Sequence, residues 1–302
     1  MDQERYVRVS EKKGTSMSEA KKDVVALVGA GGIGIAIARR VAQGKHLVVT
    51  SRTHEKAERI AESLRMDGFD ASGVACDLGS REDILAVIER CQQFGPITNV
   101  ICAGGVSPSQ APIAEILRVD LYGSSVLLEE FGKVIAPGGS GVVVSSQSGH
   151  RLPDLGTEQN WALAMTPTEE LLDLPFLTED KIGTTLRAYQ YAKRCNVLRV
   201  QSAACEWGRR DARVFSISPG IIMTPLAFDE LNGPRGEGYR KMLELMPAKR
   251  AGTVDEMGAL VAFLMGPEAG FITGTDILCD GGSTAAYWYG DLQYLQEGWS
   301  KS

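Results

Sequence analysis

The chain is poor in the residues that build metal centres and disulfide frameworks. Its 302 residues include six cysteines and three histidines. The cysteines stand at 76, 91, 102, 195, 205 and 279, and no two form a Cys-x-x-Cys pair. His46, His54 and His150 are just as scattered. A zinc site is therefore not expected, and the cysteines read as small buried hydrophobes in a reducing compartment. Positive charge is also short: 32 Lys and Arg face 38 Asp and Glu, a net charge of -6. A nucleic-acid-binding protein needs a basic face, and none is indicated. No apolar run approaches the roughly 18 residues of a membrane span. The first 22 residues are polar throughout and hold no apolar segment of the secretory kind. The expectation is a cytoplasmic protein without metal, membrane or nucleic-acid partners.

Hydrophobic residues make up 44% and charged residues 23%, an ordinary globular balance. The 34 glycines cluster between apolar runs. Residues 1–22, with six basic and four acidic side chains, read as a mobile arm, and Met17 is an alternative start. From Asp23 onward the chain alternates. Val24-Val25-Ala26-Leu27-Val28 is apolar without a break, as in a strand buried on both faces. Helical spacing is expected over 33–42, 55–66, 81–93, 117–135, 186–207 and 254–264. Strands are expected at 47–50, 72–76, 99–102, 141–145, 213–218 and 276–278. That order predicts a single α/β domain over 23–290: a Rossmann-like, doubly wound parallel sheet with helices on both faces. Two stretches break the rhythm. One runs from 150 to 185, with Thr166-Pro167 reading as a cap before a helix. The other, 226–249, reads as an irregular lid. Residues 291–302 form a tail.

Three constellations carry chemistry. Gly29-Ala30-Gly31-Gly32-Ile33-Gly34 fits G-x-G-x-x-G between a strand and a helix. There the glycines let the backbone approach a pyrophosphate seated on the helix N-terminus. The second strand ends in Ser51-Arg52, with no acid at the corner where a ribose 2′-hydroxyl would be held. A hydroxyl and a guanidinium suit a 2′-phosphate, so NADP(H) is favoured and NAD(H) stays open. The alternative is that Arg52 is a solvated surface residue. Tyr189 and Lys193 are one helical turn apart, on one helix face. An ammonium beside a phenol stabilises the phenolate, which suits proton exchange with a carbonyl or alcohol oxygen. Ser145-Ser146 and Pro219-Gly220-Ile221-Ile222-Met223-Thr224 each follow an expected strand, where parallel sheets bind ligands.

In these motifs the chain resembles the short-chain dehydrogenase/reductase family over about residues 23–285. The other ordered matches are Cys76-Asp77-Leu78, Cys102-Ala103-Gly104 and Asp280-Gly281-Gly282. The resemblance implies that Tyr189 exchanges the proton, Lys193 lowers its pKa and holds the nicotinamide ribose, and Ser146 bonds the substrate oxygen. It further implies cofactor contacts at Gly29, Gly31, Gly32, Ile33, Gly34, Ser51, Arg52, Ala103, Gly104, Tyr189, Lys193, Pro219, Gly220 and Ile222. Asp77, with Leu78, would face the adenine, and Thr224 the nicotinamide side. Three departures stand out. The Gly-rich turn is one residue short. Asp120 occupies the place of an asparagine in the catalytic set, and a carboxylate cannot donate as an amide does. Ser146 and Tyr189 are 43 residues apart, so 150–185 is an insertion beside the site.

Similar insertions occur in hydroxysteroid dehydrogenases and carbonyl reductases of the family, and bacterial hydroxysteroid dehydrogenases, the 20β type included, are the resemblance within it. The expected substrate is a bulky hydrophobic ketone or alcohol such as a steroid. A general carbonyl or 3-oxoacyl reductase, or a non-catalytic NAD(P)-sensing protein, are the alternatives. The aromatic run Tyr287-Trp288-Tyr289 is expected over a substrate pocket or at a subunit contact. The helices at 117–135 and 186–207 carry more apolar residues than one core face needs, and a homo-dimer or homo-tetramer is expected through them. The arm is expected either to be an inert tail or to fold over bound dinucleotide through Arg5, Arg8 or Lys12.

Overall fold

The computed structural model describes residues 21–109, 111–233 and 236–296. Residues 1–20, with Arg5, Arg8, Lys12 and Met17, lie outside the described residues, as does the end of the tail from 297.

The alternation of apolar runs and amphipathic stretches produces β1 (Val24–Val28), α1 (Gly32–Val41), β2 (His46–Ser51), α2 (His54–Met66), β3 (Asp70–Ala75), α3 (Arg81–Phe94) and β4 (Ile97–Cys102). A second run gives α4 (Ile113–Ile116), α5 (Ser124–Gly132), β5 (Ser140–Val144), α6 (Gly156–Met165), α7 (Glu179–Ile182), α8 (Thr185–Gly208) and β6 (Arg213–Pro219). The chain closes with α9 (Pro225–Asn232), α10 (Gly236–Leu245), α11 (Val254–Met265), β7 (Asp276–Cys279) and α12 (Ser283–Tyr289). The strands form one parallel sheet in the order β3-β2-β1-β4-β5-β6-β7.

Side chains on successive strand residues point to opposite faces, and β1 is buried along its whole length. Val24, Ala26 and Val28 pack under α3, α5 and α8, against Val87, Phe131 and Val200. Val25 and Leu27 pack under α1 and α11, against Ile37 and Val261. The strand order reverses between β1 and β4, and ligands of doubly wound sheets bind at such a switch point.

Between α4 and α5 the helix widens into a π-helical segment, Leu117–Gly123, with Asp120 inside it. The expected helix over 117–135 is thus one rod with a local change of winding. Its surplus apolar face, and that of α8, are buried in part within this chain. The chain's own stretch after β5 covers them: Leu152, Leu163, Leu171 and Ile182 pack on Leu121, Tyr191, Ala192 and Cys195. That stretch contains α6, a 3₁₀ turn Thr168–Asp173 and α7. Thr166 closes α6 and does not cap a helix after it, and Pro167 precedes only the 3₁₀ turn. The 226–249 stretch is two helices, α9 and α10, where an irregular lid was expected. Thr224 caps α9 by accepting the Ala227 N–H, a signal overlooked in the sequence. Four of the six cysteines are buried and Cys279 is half-buried, but Cys205 is exposed on α8.

Candidate active site

The ends of six adjacent strands bring the expected residues together along one edge. Asp77 and Leu78 follow β3, Ser51 and Arg52 close β2, and the glycine turn follows β1. Ala103 and Gly104 follow β4, Ser145 and Ser146 follow β5, and Pro219 to Thr224 follow β6.

Backbone packing sets the glycine turn. Gly29 has φ +92°, and a Cβ there would lie 2.1 Å from the Gly104 nitrogen. No L side chain fits that conformation or that gap. The Gly29 N–H donates to Thr50 Oγ1 at 3.1 Å, which ties the turn to β2. Among the described residues no side chain caps α1, and its first backbone bond runs from Ile35 N–H to Gly31 O at 2.9 Å. The amides of Gly32, Ile33 and Gly34 therefore precede the helical ladder, as donors suited to an anion. The Thr224 methyl lies 3.3 Å from where a side chain on Gly32 would begin, so the loop after β6 faces this turn. Arg52 is exposed, and Ser51 half-buried, beside it. Asp77 is more committed than the sequence implied. Its carboxylate accepts the Gly79 N–H at 2.9 Å and pairs with Arg118 at 2.9 Å. Leu78 is buried, and Ile222 pairs with Gly252 in an isolated bridge.

The catalytic side is built from buried charge. Ser145 Oγ donates to Lys193 O at 2.8 Å, joining β5 to α8. Ser146 begins the 3₁₀ turn Gln147–His150 and accepts the Ser148 N–H at 3.2 Å. A Cβ on Gly149 would lie 2.8 Å from backbone atoms of Lys193 and Arg194, so glycine lets this turn press on α8. Tyr189 is half-buried, the Ser146 hydroxyl acts on its phenol, and Lys193 Nζ lies 5.2 Å from its ring centroid. Lys193 Nζ also lies 3.5 Å from Asp120 Oδ2. Asp120 is fully buried, and its Oδ1 accepts the Val106 N–H at 2.8 Å. The amide of Asn196, turned to donate, reaches Asp120 O at 2.9 Å.

Several charges act on the Tyr189 phenol at once. Burial pushes the Tyr189 phenol above its ordinary value. Lys193 and the Ser146 hydroxyl pull it down, but Asp120 and Glu230 push it up, and the net direction is upward. Lys193 therefore does not by itself leave a low-pKa tyrosine in this chain. Burial depresses the Lys193 ammonium, but the charges of Asp120 and Tyr189 outweigh it and hold the ammonium above its usual range. Burial likewise holds the Asp120 carboxyl above the carboxylate range, against the pull of Lys193. The carboxylate in place of a neutral amide spends part of the lysine's field on itself.

Several residues at this edge escaped the sequence reading. Arg118 holds Asp77, and Glu230 on α9 acts electrostatically on Tyr189 and accepts from Ser109 at 3.2 Å. Behind Ser146, His150 pairs with Asp276 and the buried Arg151 bonds Gln147 and Ser283. Only Asp276, an acid inside an otherwise apolar strand, gave a sequence signal. The aromatic run also lies elsewhere than expected. Tyr287 is buried under Arg151, and Trp288 Nε1 donates to His150 O at 3.1 Å, so both serve this chain's own interior while Tyr289 is exposed.

Comparison with known proteins gives this geometry a family. The model described as short chain dehydrogenase matches residues 23–154, and that described as Enoyl-(Acyl carrier protein) reductase matches 156–284. The short-chain dehydrogenase/reductase bsc3 of Alternaria brassicicola is 36% identical over 87% of this chain and 96% of its own length. The 3-alpha-hydroxysteroid dehydrogenase/carbonyl reductase of Comamonas testosteroni is 30% identical over 68% of this chain and 79% of its own. Among solved structures, the 3-alpha-hydroxysteroid dehydrogenase from Pseudomonas sp. B-0831 complexed with NADH superposes with a TM-score of 0.69. It is 25% identical over 88% of this chain and 98% of that one. Gly-rich turn, Tyr189 and Lys193 thus sit in a matching sequence on a matching fold, and the chain belongs to the short-chain dehydrogenase/reductase family of oxidoreductases.

Proposed function

We propose that the protein interconverts a ketone and a secondary alcohol with NAD(P)(H), on a bulky hydrophobic substrate of steroid type. The observation that carries this is the meeting of Ser146, Tyr189 and Lys193 beside the glycine turn. The uncapped amides of α1 and the gap at Gly29 fit a pyrophosphate. Gly29, Gly31, Gly32, Ile33, Gly34, Ala103 and Gly104 would hold the dinucleotide, with Pro219, Gly220, Ile222 and Thr224 on its nicotinamide side. Ser51 and Arg52 favour a 2′-phosphate, hence NADP(H). Bound there, the nicotinamide supplies or takes the hydride. Ser146 donates to the substrate oxygen and orients it. Tyr189 gives that oxygen its proton in reduction and takes it back in oxidation. Lys193 stabilises the phenolate left behind, and Asp120 holds the ammonium in place.

The substrate class rests on two supports. Met223, Leu226 and Phe228 are exposed in and before α9, whose Glu230 acts on Tyr189, so an apolar surface adjoins the site. Two relatives described above are named as hydroxysteroid dehydrogenases. Buried, unpaired thiols suit a reducing cytoplasm. Assembly, as a homo-dimer or homo-tetramer, is proposed at the β7 edge, where Phe263, Phe271 and Leu278 are exposed.

A panel of 3-, 17- and 20-ketosteroids with NADPH and NADH, followed by the absorbance of the reduced nicotinamide, tests the proposal. Turnover favouring NADPH is expected. Reduction of short aliphatic or acyl ketones alone would favour a general carbonyl reductase. Dinucleotide binding without any turnover would favour a nucleotide sensor, for which the Asp120–Lys193 pair is the one supporting observation.

A further inference from the structure

The turn that carries Ser146 is one 3₁₀ turn long and is fastened at both ends. Its near end is held to α8 by the Ser145–Lys193 bond. At its far end two adjacent side chains diverge into the interior. His150 Nε2 donates to Asp276 Oδ2 at 2.7 Å and lies 3.1 Å from Ser218 Oγ. Asp276 is anchored in turn by the Ser216 and Ser218 hydroxyls of β6, which donate to its other oxygen at 2.6 and 3.0 Å. Arg151 runs the other way. It is only 7% exposed, yet its guanidinium donates to neutral oxygens: Gln147 Oε1 at 2.9 Å and Ser283 Oγ at 2.6 Å. It also lies 5.2 Å from the Tyr287 ring centroid.

Helix α12 therefore meets the turn at three points: Ser283, the Tyr287 ring, and Trp288 through its bond to His150 O. A buried guanidinium is costly to desolvate, and the charge of Asp280 nearby offsets part of that cost. What these contacts have in common is the turn. Within it, Gly149 N–H donates to Ser146 O at 3.1 Å and Arg151 N–H to Ser148 O at 3.2 Å. Rotation at residue 150 or 151 thus reaches the Ser146 backbone within a single turn.

We propose that His150 and Arg151, with Asp276 and helix α12, form a clamp that fixes the direction of the Ser146 hydroxyl. His150 and Arg151 are positioning residues and need not touch substrate. The inference rests on Ser146 orienting the substrate oxygen, as proposed above.

The experiment is a double-mutant cycle between His150→Ala and Ser146→Ala, run on the ketosteroid that the wild-type enzyme reduces fastest with NADPH. Misplacement of a reacting group by about 1 Å costs on the order of 10²-fold in rate. His150→Ala should lower kcat by roughly 10- to 100-fold and leave the KM for NADPH within about twofold. His150→Gln, which keeps a donor, should recover part of the loss, and Trp288→Phe should show a smaller loss. In the Ser146→Ala background the His150→Ala loss should disappear, because there is no hydroxyl left to direct. Equal losses in both backgrounds, or an unchanged kcat, would overturn the clamp. A Ser146→Ala enzyme with full turnover would instead overturn the role given to Ser146, and the clamp with it.

A second measurement needs no substrate. The Tyr189 phenol, read by ultraviolet absorbance as the difference between wild type and Tyr189→Phe, feels Lys193, Asp120, Glu230 and the Ser146 hydroxyl. Loss of a hydroxyl directed at the phenol raises its titration point. His150→Ala should raise it in the same direction as Ser146→Ala, and a titration that Ser146→Ala moves but His150→Ala does not would refute the clamp. If the wild type reduces no ketosteroid, the substrate proposal falls and this titration alone decides.

Discussion

The two halves of the site are made of different material. On the dinucleotide side the parts are backbone: a glycine at φ +92°, an uncapped helix end, and a strand-to-strand gap with no room for a methyl group. On the catalytic side the parts are charges and hydroxyls drawn from elements far apart in sequence. Lys193 is held against Asp120 on a π-helical segment, and Ser146 is held by a turn bolted to β7 and α12. A backbone site tolerates wide changes of side chain around it. A charge site is retuned by one substitution, and Asp120 is such a case.

The largest expected effect lies on the charge side. Tyr189→Phe removes one hydroxyl and keeps the ring. Turnover should fall by at least about 10³-fold, roughly 4 kcal/mol at the transition state. Dinucleotide affinity, measured by fluorescence titration, should be nearly unchanged. Near-normal turnover would erase the distinction between the halves.

Next in size is Leu163→Ala. Leu163 is fully buried where α6 meets α8, and its loss should cost about 2–5 kcal/mol in urea unfolding. If the stretch after β5 only decorated the domain, the cost would be well under 1 kcal/mol.

The dinucleotide side is probed by Arg52→Ala. The ratio of kcat/KM for NADPH over NADH should drop by roughly tenfold, since charge-assisted bonds to phosphate are lost. An unchanged ratio would return Arg52 to the solvent.

The smallest effect at neutral pH, and the sharpest for the charge side, is Asp120→Asn. It removes a negative charge that pushes the Tyr189 phenol upward. Reduction needs the protonated phenol, so activity is present below its pKa and lost above it. The alkaline limit of reduction should therefore move to lower pH in the variant. A limit that stays put, or moves up, would show that Asp120 does not act on Tyr189.

The same contrast explains what the sequence made legible. The glycine turn, the strand ends and the Tyr189/Lys193 pair could be read because each depends on local spacing: backbone sterics act over a few residues, and i, i+4 neighbours share a helix face. The partners of Asp77 and of the aromatic run were not legible, for a common reason. Arg118 binds Asp77 and Arg151 covers Tyr287, and each arginine arrives from another element. The surplus apolar face of α8 was read correctly as buried, but nothing in α8 says whether a second subunit or the chain's own α6 buries it. The 226–249 stretch reads as irregular because its two helices are short, eight and ten residues.

One bond described above has a kinetic consequence. Ser145 Oγ and Lys193 O are 48 residues apart, and the stretch between them packs on α8. Closing so long a loop is a late event, since its entropy is lost before its contacts form. On dilution from denaturant, helix content measured by circular dichroism should return first, and reductase activity should follow in a slower phase. A competent site is then a report on the last part of the chain to find its place.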